Sequence, residues 1–276
     1  MHLELFRAQW GEDVFTVTSY SASIVAGILL TVTLTLFIAH RRRIPMRPLL
    51  ISLAALIVSV PIGARLLHWL TNPDAYLNVS DVYELRFRNF ALYGGILLGG
   101  IMGYVMCRLT LLDPWRLADS VTPGICLGIA TIRLGCYLNG CCFGLPSSSW
   151  GAVTYPNDSP VFLYQISQNP SVLFDGPQSV YPTQLYELCG ALIAAGLALW
   201  LMRKEAIDGI PFLVAALFFT MCRAVVYFFR ARPATWAAPD KLYPLLYAII
   251  ILLGIAAVIL RLRMKEKDFK FVQSTY

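Results

Sequence analysis

Long apolar runs without charged residues constrain this chain more than any other feature. Thr16 to Ala39 contains no charged residue, and the basic cluster Arg41–Arg43 follows it. A helix of about 20 apolar residues crosses the hydrocarbon core of a bilayer. Because 58% of the 276 residues are hydrophobic and 14% are charged, an ordinary soluble domain is excluded. We predict an all-α polytopic membrane protein with seven transmembrane helices, at Thr16–Ala39, Leu49–Leu70, Asn89–Leu112, Leu117–Cys142, Tyr181–Met202, Gly209–Arg230 and Leu242–Leu260.

The distribution of Lys and Arg predicts the orientation of these helices. Basic residues collect on the cytoplasmic side of membrane proteins. If the N-terminus lies outside, the basic residues after the first, third, fifth and seventh spans all lie inside, and the segment 145–180 has no Lys or Arg. We therefore predict an N-out, C-in topology. The formal charge of +6 reflects this topology, and we expect no nucleic-acid partner.

One segment between the spans is long enough to form a small structure of its own. Residues 145–180, between spans four and five, are rich in Pro, Ser, Asn and Gly, which favour turns. We predict an external head there, with short strands at Trp150–Tyr155 and Leu163–Ile166, inserted in a single membrane domain over 1–276.

Four arginines lie inside or near the ends of the predicted spans, where a charge is costly and indicates function. They are Arg65, Arg133, Arg223 and Arg230. For Arg65 and Arg230 the alternative is a side chain that extends to the outer interface and needs no function. Arg223 lies about 21 Å along the sixth predicted span at 1.5 Å per helical residue. Their counter-ion at this depth is Glu187. Several guanidinium groups facing one carboxylate favour a further anion, and phospholipid phosphate is the abundant one in a membrane. The alternative is that Glu187 and backbone carbonyls lock the helices together.

Two glycine pairs mark the third predicted span. Gly94-Gly95 follows Tyr93, Gly99-Gly100 is the second pair, and Gly103 comes after it. Small residues at helical spacing allow close contact between helices, which is our interpretation of Gly99 and Gly103. The pair after Tyr93 also suits the close approach of a ligand to the backbone.

These motifs resemble the prolipoprotein diacylglyceryl transferase family over essentially the whole chain. The family's signature Gly-Arg-x-Gly-Asn-x-x-Asn-Gly-Glu is similar to residues 132–141, which retain Arg133, Gly135, Asn139 and Gly140, with Gly144 after them. The family's His-Pro-x-Gln-Leu-Tyr-Glu is similar to residues 181–187. Three further positions match the family's pattern: Tyr20 in the first span, Gly63-Ala64-Arg65 in the second, and Arg223 with Arg230 in the sixth.

The resemblance implies a seven-span enzyme of the bacterial inner membrane. It would move diacylglycerol from phosphatidylglycerol to the lipobox cysteine in the signal peptide of an exported prelipoprotein. Arg133 and Arg223 would bind phosphate, Tyr93 would relay a proton, and no cofactor would be required. The remaining positions would bind substrate: Tyr20, Arg65, Gly94, Gly95, Cys136, Asn139, Gly140, Cys141, Gly144, Gln184, Glu187 and Arg230.

Several substitutions depart from the family pattern. The family's histidine before the glycine pair is Tyr93, its first asparagine is Cys136 and its glutamate is Cys141. The histidine that begins its second motif is Tyr181, and a carboxylate four residues after the sixth-span arginine is Tyr227. A histidine base is therefore not expected. The departures leave two alternatives open: a divergent homologue with another lipid or acceptor, and a non-catalytic protein that binds or transports phospholipid.

Cys136, Cys141 and Cys142 have several interpretations. They could form a disulfide with one another or with Cys189, supply a nucleophile, or pack as small apolar side chains. Zinc usually takes four Cys or His ligands, and the second half of such a set is missing from the sequence nearby. We therefore predict no metal site.

Overall fold

The computed structural model describes residues 4–10, 13–71, 92–231 and 242–274, and the side chains of 18–70, 94–231 and 242–264. An antiparallel hairpin of β1 and β2 comes first, with Trp10 opposite Asp13. The rest of the described structure is mainly helical. The elements are β1 Glu4–Trp10, β2 Asp13–Thr18, α1 Ser19–Arg41, α2 Met46–Thr71, α3 Leu92–Thr110, α4 Pro114–Asn139, α5 Pro160–Gln168, α6 Val172–Asp175, α7 Thr183–Arg203, α8 Ile210–Tyr227 and α9 Leu242–Ser274.

The long helices confirm a multi-pass membrane protein. In the described part of the chain, six helices are long and apolar enough to cross a bilayer: α1, α2, α4, α7, α8 and α9. The apolar segment Gly94–Thr110 of α3 is shorter. The predicted start of the third span at Asn89 lies outside the described residues. The seven-span count and the N-out, C-in orientation stay predictions.

The hairpin corrects the predicted start of the first span. Thr16, Val17 and Thr18 belong to β2, and α1 begins at Ser19. β-Branched side chains lose rotamer freedom in a helix and are accommodated well in a strand. Apolar character alone therefore placed this boundary three residues too early.

The chain divides into two compact units, one of residues 1–34 and 121–276 and the other of residues 35–120. In the second unit, α2 packs on α3 through glycines. A Cβ atom added at Gly63 would collide with the carbonyl oxygen of Gly94, and one added at Gly94 would collide with that of Gly63. At Gly95 an added Cβ would lie 3.0 Å from the carbonyl oxygen of Val60. The observed neighbour of this glycine pair is thus a helix, and its role in ligand binding stays a prediction.

The second unit also contains an ion pair with a buried carboxylate, which was not predicted from the sequence. Asp119 is fully buried, and its Oδ2 lies 3.5 Å from a terminal nitrogen of Arg42. Arg116 donates a hydrogen bond to the carbonyl oxygen of Arg42 at 3.0 Å. These contacts join the end of α1 to the start of α4 within this unit.

In the first unit, small residues bring α1 against α4. A Cβ added at Gly27 would lie 2.9 Å from the carbonyl oxygen of Gly128, and Thr31 donates to the carbonyl oxygen of Gly124 at 2.9 Å. A Cβ at Gly135 would collide with Ser23. Such close contacts hold helices together in lipid, where apolar burial gives little driving force. They fix the rotation of α4 about its own axis and therefore the direction in which Arg133 projects from this helix.

The predicted head, 145–180, lies within the first unit. Val153 and Val180 exchange backbone hydrogen bonds of 3.0 Å in an isolated bridge. The predicted strand at Leu163–Ile166 is wrong, since these residues lie in α5. Ser159 caps that helix by accepting a hydrogen bond from the Phe162 backbone N–H, and Pro160 follows at its first position. The single domain over 1–276 stays a prediction.

We predict that Gly63→Ala destabilises the protein, whereas Gly100→Ala does not. The new methyl group meets the Gly94 backbone in the first variant and nothing within 4 Å in the second. Overpacking of this kind costs about 1–3 kcal/mol. Thermal unfolding of the purified full chain in detergent micelles measures the difference. Equal midpoints for the two variants would contradict the α2–α3 contact.

Candidate functional site

Three arginines of the first unit meet at one buried carboxylate. Glu187 is 3% exposed, and its Oε2 lies 2.5 Å from Arg133 Nε. The same oxygen lies 3.6 Å from a terminal nitrogen of Arg223, and Oε1 lies 3.5 Å from one of Arg230. The structure thus brings together four of the charged residues that the sequence analysis singled out.

Each member of this arginine–glutamate cluster comes from a different part of the chain. Arg133 lies near the end of α4, Glu187 lies one turn into α7, and Arg223 lies near the end of α8. Arg230 follows α8 in an extended segment. The cluster therefore forms only when three helices pack, and it reports on the tertiary fold of this unit.

The pairing leaves positive charge available for another anion. Guanidinium groups stay protonated in proteins, and one carboxylate balances only one of them. In the described part of the chain, Arg133 and Arg223 form ion pairs with no carboxylate other than Glu187. The Arg223 contact is longer than the usual 2.7–2.9 Å or so of a charge-assisted hydrogen bond. Arg223 can therefore turn its N–H groups toward a second anion.

The end of α4 explains why three thiols lie beside this cluster. The Cys141 N–H donates to the carbonyl oxygen of Cys136 at 3.1 Å, and the Gly140 N–H to that of Tyr137 at 3.3 Å. With Gly140 at φ +67°, this is a Schellman motif, in which the second residue after the helix contacts its last turn. Here both contacting residues are cysteines.

Cys142 completes the thiol cluster. Its φ of +59° is left-handed, so the chain turns again directly after Cys141. The sulfur atoms of Cys136, Cys141 and Cys142 all lie within 4.8 Å of one another. All seven cysteines of the chain are free thiols, so no disulfide is present. A terminal nitrogen of Arg133 lies 4.0 Å from the Cys136 sulfur, which places the thiol cluster against the arginines.

The surroundings shift the pKa values of the two loop thiols, Cys141 and Cys142, in opposite directions. Hydrogen bonds with the Cys136 and Cys141 thiols, together with the charges of Arg230 and Arg133, hold the pKa of the Cys142 thiol well below its usual range, although burial opposes this shift. Hydrogen bonds with Cys136 and Cys142 raise the pKa of the Cys141 thiol. The first proton to leave this pair is therefore that of Cys142.

The first turn of α7 holds the cysteine loop in place. Thr183 donates a hydrogen bond to the carbonyl oxygen of Cys142 at 2.9 Å, and Gln184 Nε2 donates to that of Cys141 at 2.7 Å. Gln184 Nε2 also lies 3.3 Å from the Tyr155 hydroxyl of the head. Its Oε1 is buried and has no hydrogen-bond partner among the described residues. That oxygen can accept a hydrogen bond from a bound hydroxyl or thiol.

Gly144 positions Arg230. Its N–H donates to the Tyr181 carbonyl oxygen at 3.0 Å, and Gly144 forms a bridge with Arg230. A Cβ at Gly144 would lie 2.6 Å from the Tyr181 carbonyl oxygen and 2.7 Å from that of Phe229. Only glycine fits between these two backbone segments, because a Cβ atom would collide with both carbonyl oxygens.

The remaining predicted site residues fall into two groups. Tyr20 on α1 lies within electrostatic range of the three thiols and Arg133, and half-buried Asn139 ends α4. Arg65, Gly94 and Gly95 belong to the second unit, where Arg65 is buried on α2. Tyr93 lies in α3 of that unit, and its side chain is outside the described residues.

Three residues beside the cluster were not predicted from the sequence as site residues: Cys142, Thr183 and Tyr155. The signal for Cys142 was present in the adjacent pair of cysteines after Gly140, a helix-ending residue. No local pattern indicates Tyr155, because its contact with Gln184 joins residues far apart in the chain.

We predict that Glu187→Gln destabilises the protein by about 3–5 kcal/mol, because removing one partner leaves buried charges uncompensated. Thermal unfolding in detergent is the measurement. Asp175→Asn in the head is the matched control, since Asp175 is exposed and should tolerate the loss of its charge. A stability loss no larger than that of the control would show that the cluster is not held by this carboxylate.

Comparisons with known proteins agree with these motifs. A sequence model of the prolipoprotein diacylglyceryl transferase family matches residues 12–260. The phosphatidylglycerol–prolipoprotein diacylglyceryl transferase of Clostridium tetani is 27% identical over 62% of this chain and 64% of its own length. Proteins of the same name from Dehalococcoides mccartyi and Corynebacterium efficiens are 29% and 27% identical, over 65% and 92% of this chain and 65% and 80% of their own lengths.

The chain thus spans less than two thirds of the length of the Clostridium and Dehalococcoides relatives in these matches. The family match, by contrast, extends from the hairpin into α9. Because it covers most of the chain, the protein belongs to the prolipoprotein diacylglyceryl transferase family.

Proposed function

We propose that this chain transfers diacylglycerol from phosphatidylglycerol to the lipobox cysteine of a prelipoprotein. The names of its relatives give this donor and this class of acceptor. The observation that carries the proposal is the cluster of three guanidinium groups around one buried carboxylate. A lipid phosphate is the anion that such a cluster fits within a membrane.

The reaction requires charge stabilisation on phosphate. The acceptor sulfur attacks the glycerol carbon of the diacylglycerol moiety, a carbon–sulfur bond forms, and the carbon–oxygen bond to phosphate breaks. The electron pair stays on the phosphate oxygen, and glycerol phosphate leaves with the proton that the thiol gave up. Arg133 and Arg223 would stabilise the charge that develops on this leaving group. Glu187 would orient both guanidinium groups while neutralising only part of their charge.

Other residues would hold the lipid and the peptide. Tyr20 and Asn139 would position the glycerol region, and Gln184 Oε1 would accept a hydrogen bond from a glycerol hydroxyl. Tyr93 would relay a proton in place of the family's histidine. The other predicted substrate-binding positions are Arg65, Gly94, Gly95, Cys136, Gly140, Cys141, Gly144 and Arg230.

The proposed setting is the cytoplasmic membrane of a bacterium. Seven spans with the N-terminus outside would place the head, 145–180, on the outer side, where the signal peptide of an exported prelipoprotein arrives. The partners are then phosphatidylglycerol, that peptide and the bilayer, with no nucleic acid.

The thiol cluster favours a second candidate function. Cys136 and Cys141 stand where the family pattern has asparagine and glutamate, so a homologue that acts on another lipid or acceptor fits the same arginines. A non-catalytic phospholipid-binding or transport protein is the remaining alternative, and it would bind phosphatidylglycerol without turnover.

We predict that the chain restores lipoprotein modification in a bacterial cell that lacks its own transferase. Arg133→Ala and Arg223→Ala should each lower the rate by about 100-fold or more, since each removes a donor to the leaving phosphate. Arg133→Lys should recover little, because an ammonium group lacks the planar pair of donors. Mass spectrometry of a reporter prelipoprotein measures the modification.

Arg203→Ala is the control, because Arg203 is an exposed residue in the last turn of α7. Full activity of both site variants, at expression equal to the control, would overturn the assignment of phosphate binding. Phosphatidylglycerol binding by the wild-type protein without modification would favour the non-catalytic alternative.

A further inference from the structure

The thiol cluster brings three sulfur atoms close enough together to serve as ligands of one metal ion. Cys136, Cys141 and Cys142 place their sulfur atoms within 4.8 Å of one another. Around a tetrahedral zinc ion with bonds of about 2.3 Å, sulfur atoms lie about 3.8 Å apart. Side-chain rotations that shorten the distances by about 1 Å are therefore enough to bring the three sulfurs to one ion.

The backbone around the cluster is fixed before any ion binds. The Schellman motif sets Cys141 over Cys136, and α7 hydrogen-bonds the carbonyl oxygens of Cys141 and Cys142. Ligands held in this way lose little conformational freedom on binding. No metal site was predicted from the sequence, because it shows only half of a four-ligand set, but the fold brings three ligands together from one short segment.

The arginines make the site suitable for thiolates. Three thiolates and one Zn²⁺ carry a net charge of −1. Arg133 lies 4.0 Å from the Cys136 sulfur, and the charge of Arg230 acts on Cys142. The positive charge that Glu187 leaves unbalanced therefore stabilises the same anionic assembly. Thiolate ligands select soft or borderline metals such as zinc over magnesium or calcium.

The fourth position of such a site is open in the described part of the chain. No fourth His, Cys, Asp or Glu among those residues joins the three sulfurs within the same distance. Zinc sites that catalyse reactions have three protein ligands and leave the fourth position to water or substrate, whereas structural sites are closed by four. Three protein ligands with an open fourth position therefore indicate a site at which water or a substrate atom completes the coordination.

We propose that Cys136, Cys141 and Cys142 bind Zn²⁺ and that the fourth position binds the acceptor cysteine as a thiolate. The inference rests on the proposed function and names how that reaction's nucleophile is activated. A thiol that coordinates zinc is deprotonated, which supplies the sulfur nucleophile without a histidine base. As the thiolate replaces the bound water, the thiol gives its proton to solvent, and the departing glycerol phosphate takes up one proton in its place, so the reaction stays balanced. The zinc-bound sulfur then forms the bond to the glycerol carbon as the phosphate oxygen takes the electron pair of the broken bond.

The first experiment measures zinc in the purified full chain, reconstituted under reducing conditions with one equivalent of Zn²⁺. We expect about one zinc per chain after dialysis. X-ray absorption should show three sulfur neighbours at about 2.3 Å and one lighter ligand. Cys136→Ser and Cys142→Ser should each bind zinc at least 10-fold more weakly, whereas Cys189→Ser and Cys222→Ser should match the wild type.

A second measurement avoids variants that fail to fold. Co²⁺ added to the wild-type protein should give the intense sulfur-to-metal absorption bands of a thiolate site, and Zn²⁺ should abolish them. Absence of these bands together with absence of retained zinc overturns the site. Retention of copper alone, or a disulfide within the cluster under the same conditions, also overturns it.

A third measurement separates this inference from the proposed function. An apolar peptide with one cysteine should raise the sulfur count around zinc from three to four, and the same peptide with serine should not. An unchanged count overturns thiol activation. Four sulfur ligands without lipid transfer in the cell assay would support the zinc site and count against the diacylglyceryl transferase proposal.

Discussion

The ion pairing of Glu187 with Arg133, Arg223 and Arg230 is the interaction on which the first unit and its candidate site depend. It is buried, it joins α4, α7 and α8, and it places more guanidinium groups together than one carboxylate can balance. A membrane offers few ways to stabilise such charge, so the cluster is costly unless a further anion completes it. Lipid phosphate and thiolate are the two anions that the surroundings suggest, and both belong to the proposed reaction.

Local backbone geometry places the three thiols beside the arginine–glutamate cluster. Gly140 ends α4 in a left-handed conformation, which turns Cys141 back over Cys136, and Gly144 lets the following segment pass between Tyr181 and Phe229. Close glycine contacts between α1 and α4 fix the rotation of α4 about its axis, which sets the direction of Arg133. The proposed phosphate site and the three thiols are therefore adjacent, because the end of α4 carries both Arg133 and the cysteines.

Much of this could be predicted from the sequence, but not all of it. Uncharged apolar runs located the membrane helices, and the scarcity of carboxylates indicated that Glu187 faces several arginines. The β2 strand was missed because Thr16 to Thr18 extends the uncharged run of the first span without a break. The helix at Pro160 was missed although Ser159 and Pro160 form a typical start signal. The turn that gathers the three thiols has a local signal in Gly140 and the two cysteines after it, whereas no local pattern encodes the hydrogen bonds from α7 that hold this turn in place. The side chain of Tyr93 lies outside the described residues, so its role rests on the resemblance.

The central claim is that the arginine–glutamate cluster receives a lipid phosphate, and a structure of the protein in a phosphatidylglycerol bilayer tests it most directly. An electron cryo-microscopy map of the chain in a nanodisc of that lipid should show a phosphate group within hydrogen-bond distance of Arg133 and Arg223, with Glu187 still in contact with one of them. Both guanidinium groups closed on Glu187 alone, with every ordered lipid headgroup elsewhere, would contradict the claim.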